Sequence, residues 1–252
     1  MSVFDSFESK SPEQIIKDLD DHGYYSVLHV YHSTKSDNWM KAARIVNERQ
    51  KIKHMIAIRP YSISPEYFVM MYDAFEEICP NRIMFNIVAG RILQDENVIE
   101  NSLYISDLID TLEKRIEYTD KWLEKVLYIK KIPEIVIAGI GDRSLEIANK
   151  YGDYSAFTVD LYNRDRERVN IKAKKMCMIN FLIRDTYEEA EQEAQSLTPD
   201  KKNRTFYGTK ESILEQIKEL EASGVTDIMI RKYPEDEKFY KIHEFVKENG
   251  TR

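Results

Sequence analysis

Two cysteines stand in 252 residues, Cys79 and Cys177, far apart in the chain. That is too few for a disulfide framework, and reduced thiols in a cytoplasmic protein are the simpler reading. The opening MSVFDSFESK is mixed and polar, with no secretory signal pattern. No apolar run approaches the roughly 20 residues that cross a bilayer, so no membrane partner is expected. Basic residues are in deficit: Lys and Arg number 37 against 44 Asp and Glu, for a net charge of −7, with both signs interspersed. Phosphate backbones call for a clustered basic surface, which argues against nucleic acid as a partner. The one basic run, KAKK at 172–175, reads as a solvated loop entering a strand. Repeats, low-complexity tracts and long linkers are missing too, so residues 1–252 are expected to form one domain.

The residues present are those of a packed α/β protein. Hydrophobic residues make up 42% of the chain, enough for a substantial core. Residues 52–59 (IKHMIAIR) read as a buried strand. Ser64-Pro65 opens a helix as N-cap and first helical residue, with Glu66 where the helix dipole favours an acid. Met70, Met71, Phe75 and Ile78 recur at helical spacing, and Pro80-Asn81 ends the element. Residues 82–88 (RIMFNIV) are again strand-like. A strand–helix–strand unit of this kind joins parallel strands by a right-handed crossover.

The same alternation runs along the chain. Strands are expected near residues 3, 25, 53, 83, 134, 156, 176 and 227, eight in all. Helices begin at Ser11-Pro12 and Asp37, with a long one whose apolar face includes Ile105, Leu108, Ile109, Leu112, Ile116, Leu123, Val126 and Leu127. Further helices cover 142–151, 186–196, 209–222 and 238–247, and the polar segment 162–168 reads as a remnant of another. Eight strands with helices between them, in about 250 residues, make a single-domain (β/α)8 TIM barrel.

Four blocks carry a family resemblance. R-P-x-x-x-S-P, a helix and then N-R-x-x-F-N-I-V-x-G span 59–90; GYYSVLHVYHSTKSDNW spans 23–39. RIEYTDKWLEKV lies at 115–126, and YGTKESILEQIKELEASGVTDIMIRKYP at 207–234. These resemble the bacterial luciferase-like monooxygenases, most of all their alkanesulfonate monooxygenase branch, with shortened loops. The resemblance implies a barrel that holds reduced FMN, or in some branches the deazaflavin F420, at the C-terminal strand ends. It also implies oxidation of a small organic substrate with O2, a partner flavin reductase, and a homodimer paired through the helices after strands 2 and 3. Trp39, Met70, Met71 and Tyr72 offer apolar material for that pairing, or for packing on the barrel.

On this reading the cofactor-binding residues are Tyr31, Ala89, Gly90 and the turn Gly139, Ile140 and Gly141, whose amides would face a phosphate. Asp142 reads as the N-cap of the following helix, where it competes for those amides. A capped helix start without ligand is the plainer alternative. Catalytic candidates are His29, Lys35, Arg59 and Asn180, and His32 joins Lys35 as a loop candidate. His29 and Tyr31 lie two apart, hence on one strand face, although a lone strand histidine is commonly a core residue. Alternation from Ala89 puts Asn86 on the helix-facing side. No metal ligand set is expected.

The departures from the family are equally specific. Ala89 stands where the family has a threonine, Leu112 and Ile116 where it has His and Tyr, and Ile140 and Gly141 where it has serines. Met178 and Asn180 replace the branch's Arg and His, and Lys35 its loop cysteine. Each lost hydrogen bond costs about 0.5–1.5 kcal/mol, so together they weaken flavin binding by orders of magnitude. That leaves two alternatives open: a non-catalytic flavin-binding or interaction barrel, or an F420-dependent hydride-transfer enzyme.

Overall fold

A computed structural model describes residues 2–4, 11–31, 37–46, 51–90, 109–231 and 239–249. Nine strands are described: β1 (Ser2–Phe4), β2 (Ser26–His29), β3 (Lys53–Ile58), β4 (Ile83–Val88), β5 (Ile135–Ala138), β6 (Tyr154–Thr158), β7 (Lys174–Ile183), β8 (Thr205–Gly208) and β9 (Asp227–Arg231). The helices are α1 (Pro12–Asp21), α2 (Asn38–Ile45), α3 (Pro65–Ile78), α4 (Leu112–Ile129), α5 (Asp142–Tyr151), α6 (Val159–Asp165), α7 (Tyr187–Gln195), α8 (Pro199–Asn203), α9 (Lys210–Ala222) and α10 (Phe239–Asn249). Two short 3₁₀ turns cover Pro60–Ser62 and Arg166–Arg168. The part of the long helix expected at 105 and 108 lies outside the described residues.

All eight expected strands form, and every strand pair is parallel. The ladder order is β6-β5-β4-β3-β2-β1-β9-β7, and β6 and β7 pair with each other as well. The result is a curled, TIM-barrel-like sheet with helices outside it.

β8 is the strand the sequence reading missed. Along β7 the even-numbered amides face one edge: Lys174 N donates to Asp153 O, whereas Asn180 N and Arg184 N donate to Arg204 O and Gly208 O. β8 therefore takes up the edge of β7 that β6 vacates when it turns into α6. The strand expected at 155–160 ends at Thr158 for the same reason, with Val159 and Asp160 already helical. The short α8 was likewise not foreseen.

Burial sorts the two strand faces. One set of inward residues comes from seven strands and no helix: Leu28, Met55, Ala57, Met84, Val136, Tyr154, Ala156, Met176 and Met229. On the outer face, Val27, Phe157, Ile179, Phe181 and Ile230 pack on α1, α9 and α10. Ile56, Ile58, Phe85 and Ile137 pack on α2, α3, α4 and α5. Near-continuous burial along β2, β3, β4, β5 and β6 is what a parallel sheet covered on both faces requires.

α3 buries Phe68, Val69, Tyr72 and Phe75, a face rotated from the expected one, since Met70 and Ile78 are exposed. Trp39 and Tyr72 both pack against Phe85, so of the two uses expected for them the structure shows packing on the sheet. Near the N-terminal end of β5, Glu134 holds a positive φ of 54°. It accepts from Tyr25 Oη and Lys53 Nζ, each at 2.6 Å. Those bonds tie the strand starts together and leave the opposite end for ligands.

Candidate active site

The upper ends of β2 and β3 are pinned by side chains that the local sequence supplies. Asn38, the first residue of α2, donates through Nδ2 to His29 O at 3.3 Å and Ala57 O at 2.6 Å. Asp37 caps α2 and Ser64 caps α3, accepting from Met40 N and Tyr67 N. Beyond β3, Arg59 O accepts from Ser62 N at 2.9 Å and Ser62 Oγ at 2.7 Å, which closes the 3₁₀ turn. Trp122 of α4 donates to Ile63 O at 2.8 Å. These ties frame a cavity of about 680 Å³ whose lining includes Tyr31, Trp39, Met40, Arg59, Ile63, Tyr67 and Met71.

Arg59 and Tyr31 come together there. Arg59 is buried as a residue, and its guanidinium lies 5.4 Å from the Tyr31 ring centroid and 5.9 Å from that of Tyr61. Its Nη1 donates to the Tyr61 hydroxyl. Tyr61 was not foreseen, although it stands two residues after Arg59 in the R-P turn.

His29 does not join them. β2 ends at His29, so alternation stops before Tyr31, and the two residues fall on opposite faces. Tyr31 packs with the inward cluster. His29 shares the outer face of Val27 and stacks on His54, Nε2 to Nδ1 at 3.1 Å. Burial drives the His29 pKa down to about 3 and that of His54 to about 4, so both rings are neutral. Lys35 and His32 lie outside the described residues.

Asn180 does face inward, on the side of β7 that carries Met176 and Met178, and donates to Thr205 Oγ1 of β8 at 3.2 Å. Asn86 is a correction. It shares the inward face of Met84, in register with Ala57 and Val136, and its Oδ1 has no hydrogen-bond partner. Ala89, from which its side was counted, lies beyond the end of β4. Ala89 is buried, and Gly90 O accepts from the buried Arg115 of α4 at 3.0 Å.

The turn after β5 differs from the expectation at one residue. The N-cap of α5 is Gly141, not Asp142, and it makes no side-chain cap bond. The other helices of eight or more residues with a described N-cap (α1, α2, α3, α4, α7 and α9) all use a Ser, Thr or Asp side chain to cap. Gly139 has φ +133°, and a Cβ there would stand 2.9 Å from Ser144 Oγ. Glycine keeps the backbone close to the helix start, where first-turn amides favour an anion. The turn thus fits a phosphate. Among the described residues no group of three or more His, Cys, Asp or Glu is placed to hold a metal ion, and no helix is long and apolar enough to cross a membrane.

No family model matches the chain. Solved structures do resemble it. The EDTA monooxygenase of Chelativorans sp. BNC1 is 11% identical, with a TM-score of 0.72 over 94% of this chain and 84% of that one. An F420-dependent secondary alcohol dehydrogenase, solved with an F420–acetone adduct, is 14% identical, with a TM-score of 0.69 over 98% and 96%. The oxygenating constituent of 3,6-diketocamphane monooxygenase from Pseudomonas putida, solved with FMN, is 13% identical, with a TM-score of 0.65 over 94% and 90%. The fold is shared with flavin- and F420-dependent enzymes. At these identities the likeness is one of fold.

Proposed function

We propose that this chain is a luciferase-like flavin-dependent monooxygenase that uses reduced FMN and O2 on a small organic substrate. Its setting would be a closed, single-domain (β/α)8 barrel, a reading supported by the β6–β7 ladder. The observation that carries the proposal is the uncapped glycine turn at the start of α5. Gly139, Ile140 and Gly141 would hold the phosphate, with Ala89 and Gly90 beside the ring system. Bound there, reduced flavin would supply the electrons for oxygen chemistry.

The chain's own contribution is binding and orientation. Arg59 and Tyr31 form one wall of the cavity, and the Asn180 amide, held by Thr205, offers a polar group inside the barrel. His29, facing the helices, acts on packing. The four sequence blocks favour the alkanesulfonate-type branch. F420 is the second reading, because a fold neighbour of nearly equal length carries it. A reductase partner and cytoplasmic location go with the FMN reading. A homodimer would pair through Met40, Tyr67 and Met70, which are among the exposed apolar side chains of α2 and α3.

The test is a titration of purified protein with FMN, oxidised and reduced, and with F420, followed by absorbance and protein fluorescence. Micromolar or tighter binding of reduced FMN is expected. Absence of binding by all three ligands would end the proposal.

A further inference from the structure

The barrel interior departs from the usual filling. Parallel barrels pack their insides mainly with branched Val, Ile and Leu. Here five of the chain's nine methionines, Met55, Met84, Met176, Met178 and Met229, belong to the inward cluster. The register sets two pairs side by side: Met55 with Met84 on β3 and β4, and Met178 with Met229 on β7 and β9. Thioethers are polarisable and adaptable, and they can be oxidised.

Burial divides the five. Met55, Met84, Met176 and Met229 are at most 2% exposed, so an oxidant reaches them only when the barrel opens. Met178 is half-buried and faces inward, so solvent meets it from inside the barrel. Its neighbour on β6 points the same way. Thr158 pairs with Met178 across the β6–β7 ladder, and adjacent strands stand about 4.8 Å apart. The Thr158 hydroxyl oxygen is buried and has no hydrogen-bond partner among the described residues. Thr158 is the N-cap of α6, yet its side chain makes no cap bond. Ala156, next on the same face of β6, is small and leaves space beside it. A buried hydroxyl without a partner is destabilising next to a thioether. A sulfoxide in that place would use it.

We propose that Met178 is a modification site, oxidised by hydrogen peroxide to the sulfoxide, whose new oxygen accepts from the Thr158 hydroxyl. The sulfur lone pair attacks one peroxide oxygen as the O–O bond breaks, and sulfur gives up two electrons. The departing hydroxide collects the proton of the transferred oxygen and leaves as water. Sulfoxides are polar and ordinarily disrupt a core; the Thr158 donor lets this interior hold one. On the function proposed above, reduced flavin that meets O2 without substrate would supply the peroxide. Reagent peroxide tests the site without depending on that function.

The flavin-free full chain is treated with limiting hydrogen peroxide, and each methionine is followed by peptide mass spectrometry. Met40 and Met70, both 66% exposed, are expected to oxidise first. Met178 should follow, about tenfold or more faster than Met55, Met84, Met176 and Met229, since susceptibility tracks exposure. Thr158→Val keeps the shape and removes the hydroxyl, and before oxidation it should melt with the native chain. Once Met178 is oxidised, the variant should melt about 2–4 °C below the oxidised native chain, which carries the same surface sulfoxides; that is the shift of one lost hydrogen bond in a chain of this size. If Thr158→Val does not fold, the order of oxidation still decides. Oxidation of Met178 no faster than that of the four buried methionines, or an equal melting loss on oxidation in the native and Thr158→Val chains, would overturn the proposal.

Discussion

His29 Nε2 and His54 Nδ1 meet at 3.1 Å between the sheet and its helices, with the outer nitrogens His29 Nδ1 and His54 Nε2 buried and unpartnered. Neither ring can take up a proton cheaply. Burial is the main cause, followed for His29 by His54 and then Lys41 of α2, and for His54 by Arg82 before β4. Both folded pKa values lie below the ordinary 6.5, so the pair's contribution is fully present above pH 6.5. It is lost as pH falls from there toward 4 and 3, because the unfolded chain binds protons that the folded chain refuses. Two such groups give a limiting slope of about 2.7 kcal/mol per pH unit. Urea unfolding between pH 7.5 and 4.5 should therefore show a steeper loss for the native chain than for His29→Phe/His54→Phe. Parallel pH profiles would show that the pair does not titrate on unfolding.

The misreading of His29 has a physical cause, and Asn86 shares it. Side chains alternate only while the ladder lasts. Tyr31 lies beyond the last β2 pair, His29 with Ile56, and Ala89 beyond the last β4 pair, Val88 with Ala138. Parity carried past a strand end assigned both residues to the wrong face. The expected strands were legible because short apolar runs stand between helix caps, and β2 to β6 are buried on both sides. β8, with the sequence TFYG, has no such signal; its ladder exists because β7 outruns β6. In α3, Met70 and Ile78 fitted the helical spacing, but the aromatic cluster set the buried face. The cavity escaped notice because it needs α2, α3 and the R-P turn at once, and spacing within one element does not reveal that.

Gly141→Asp separates helix capping from anion binding at the start of α5. Gly141 has an ordinary φ of −67° and no atom near a new Cβ, so the substitution fits without strain. The new carboxylate should cap α5 and stabilise the fold by a few tenths of a kcal/mol. The same carboxylate would occupy the first-turn amides and repel a phosphate. Reduced FMN should bind at least tenfold more weakly, with melting temperature unchanged or raised. Undiminished FMN affinity in this variant would place the phosphate elsewhere.

Phe85 joins the barrel wall to the helices that frame the cavity. Its ring lies 4.7 Å from Phe68, 5.5 Å from Trp39 and 5.8 Å from Tyr72 by centroid, and the side chain is fully buried. Phe85→Ala removes a ring that α2 and α3 share, at an expected cost of about 3–5 kcal/mol by denaturant unfolding. Phe85→Leu, which keeps most of the volume, should cost less than half as much. Similar losses for both would point to the ring–ring geometry rather than the cavity volume.

Arg184 and Glu193 tie the end of β7 to α7, and their unequal burial decides which is costlier to lose. The guanidinium side chain is 4% exposed and the carboxylate 34%. Arg184 Nε reaches Glu193 Oε2 at 2.7 Å, Nη2 reaches Oε1 at 2.5 Å, and Nη1 donates to Ile183 O at 2.8 Å. Glu193→Leu leaves a buried cation without this carboxylate and should cost about 3 kcal/mol. Arg184→Met leaves a carboxylate that water can reach, and refills the buried stem with apolar volume, so about 1 kcal/mol is expected. Denaturant midpoints of the two single variants and the double give the order directly. If Arg184→Met proves the more damaging, the tie depends on the carbonyl bond to Ile183 and on stem packing more than on the ion pair.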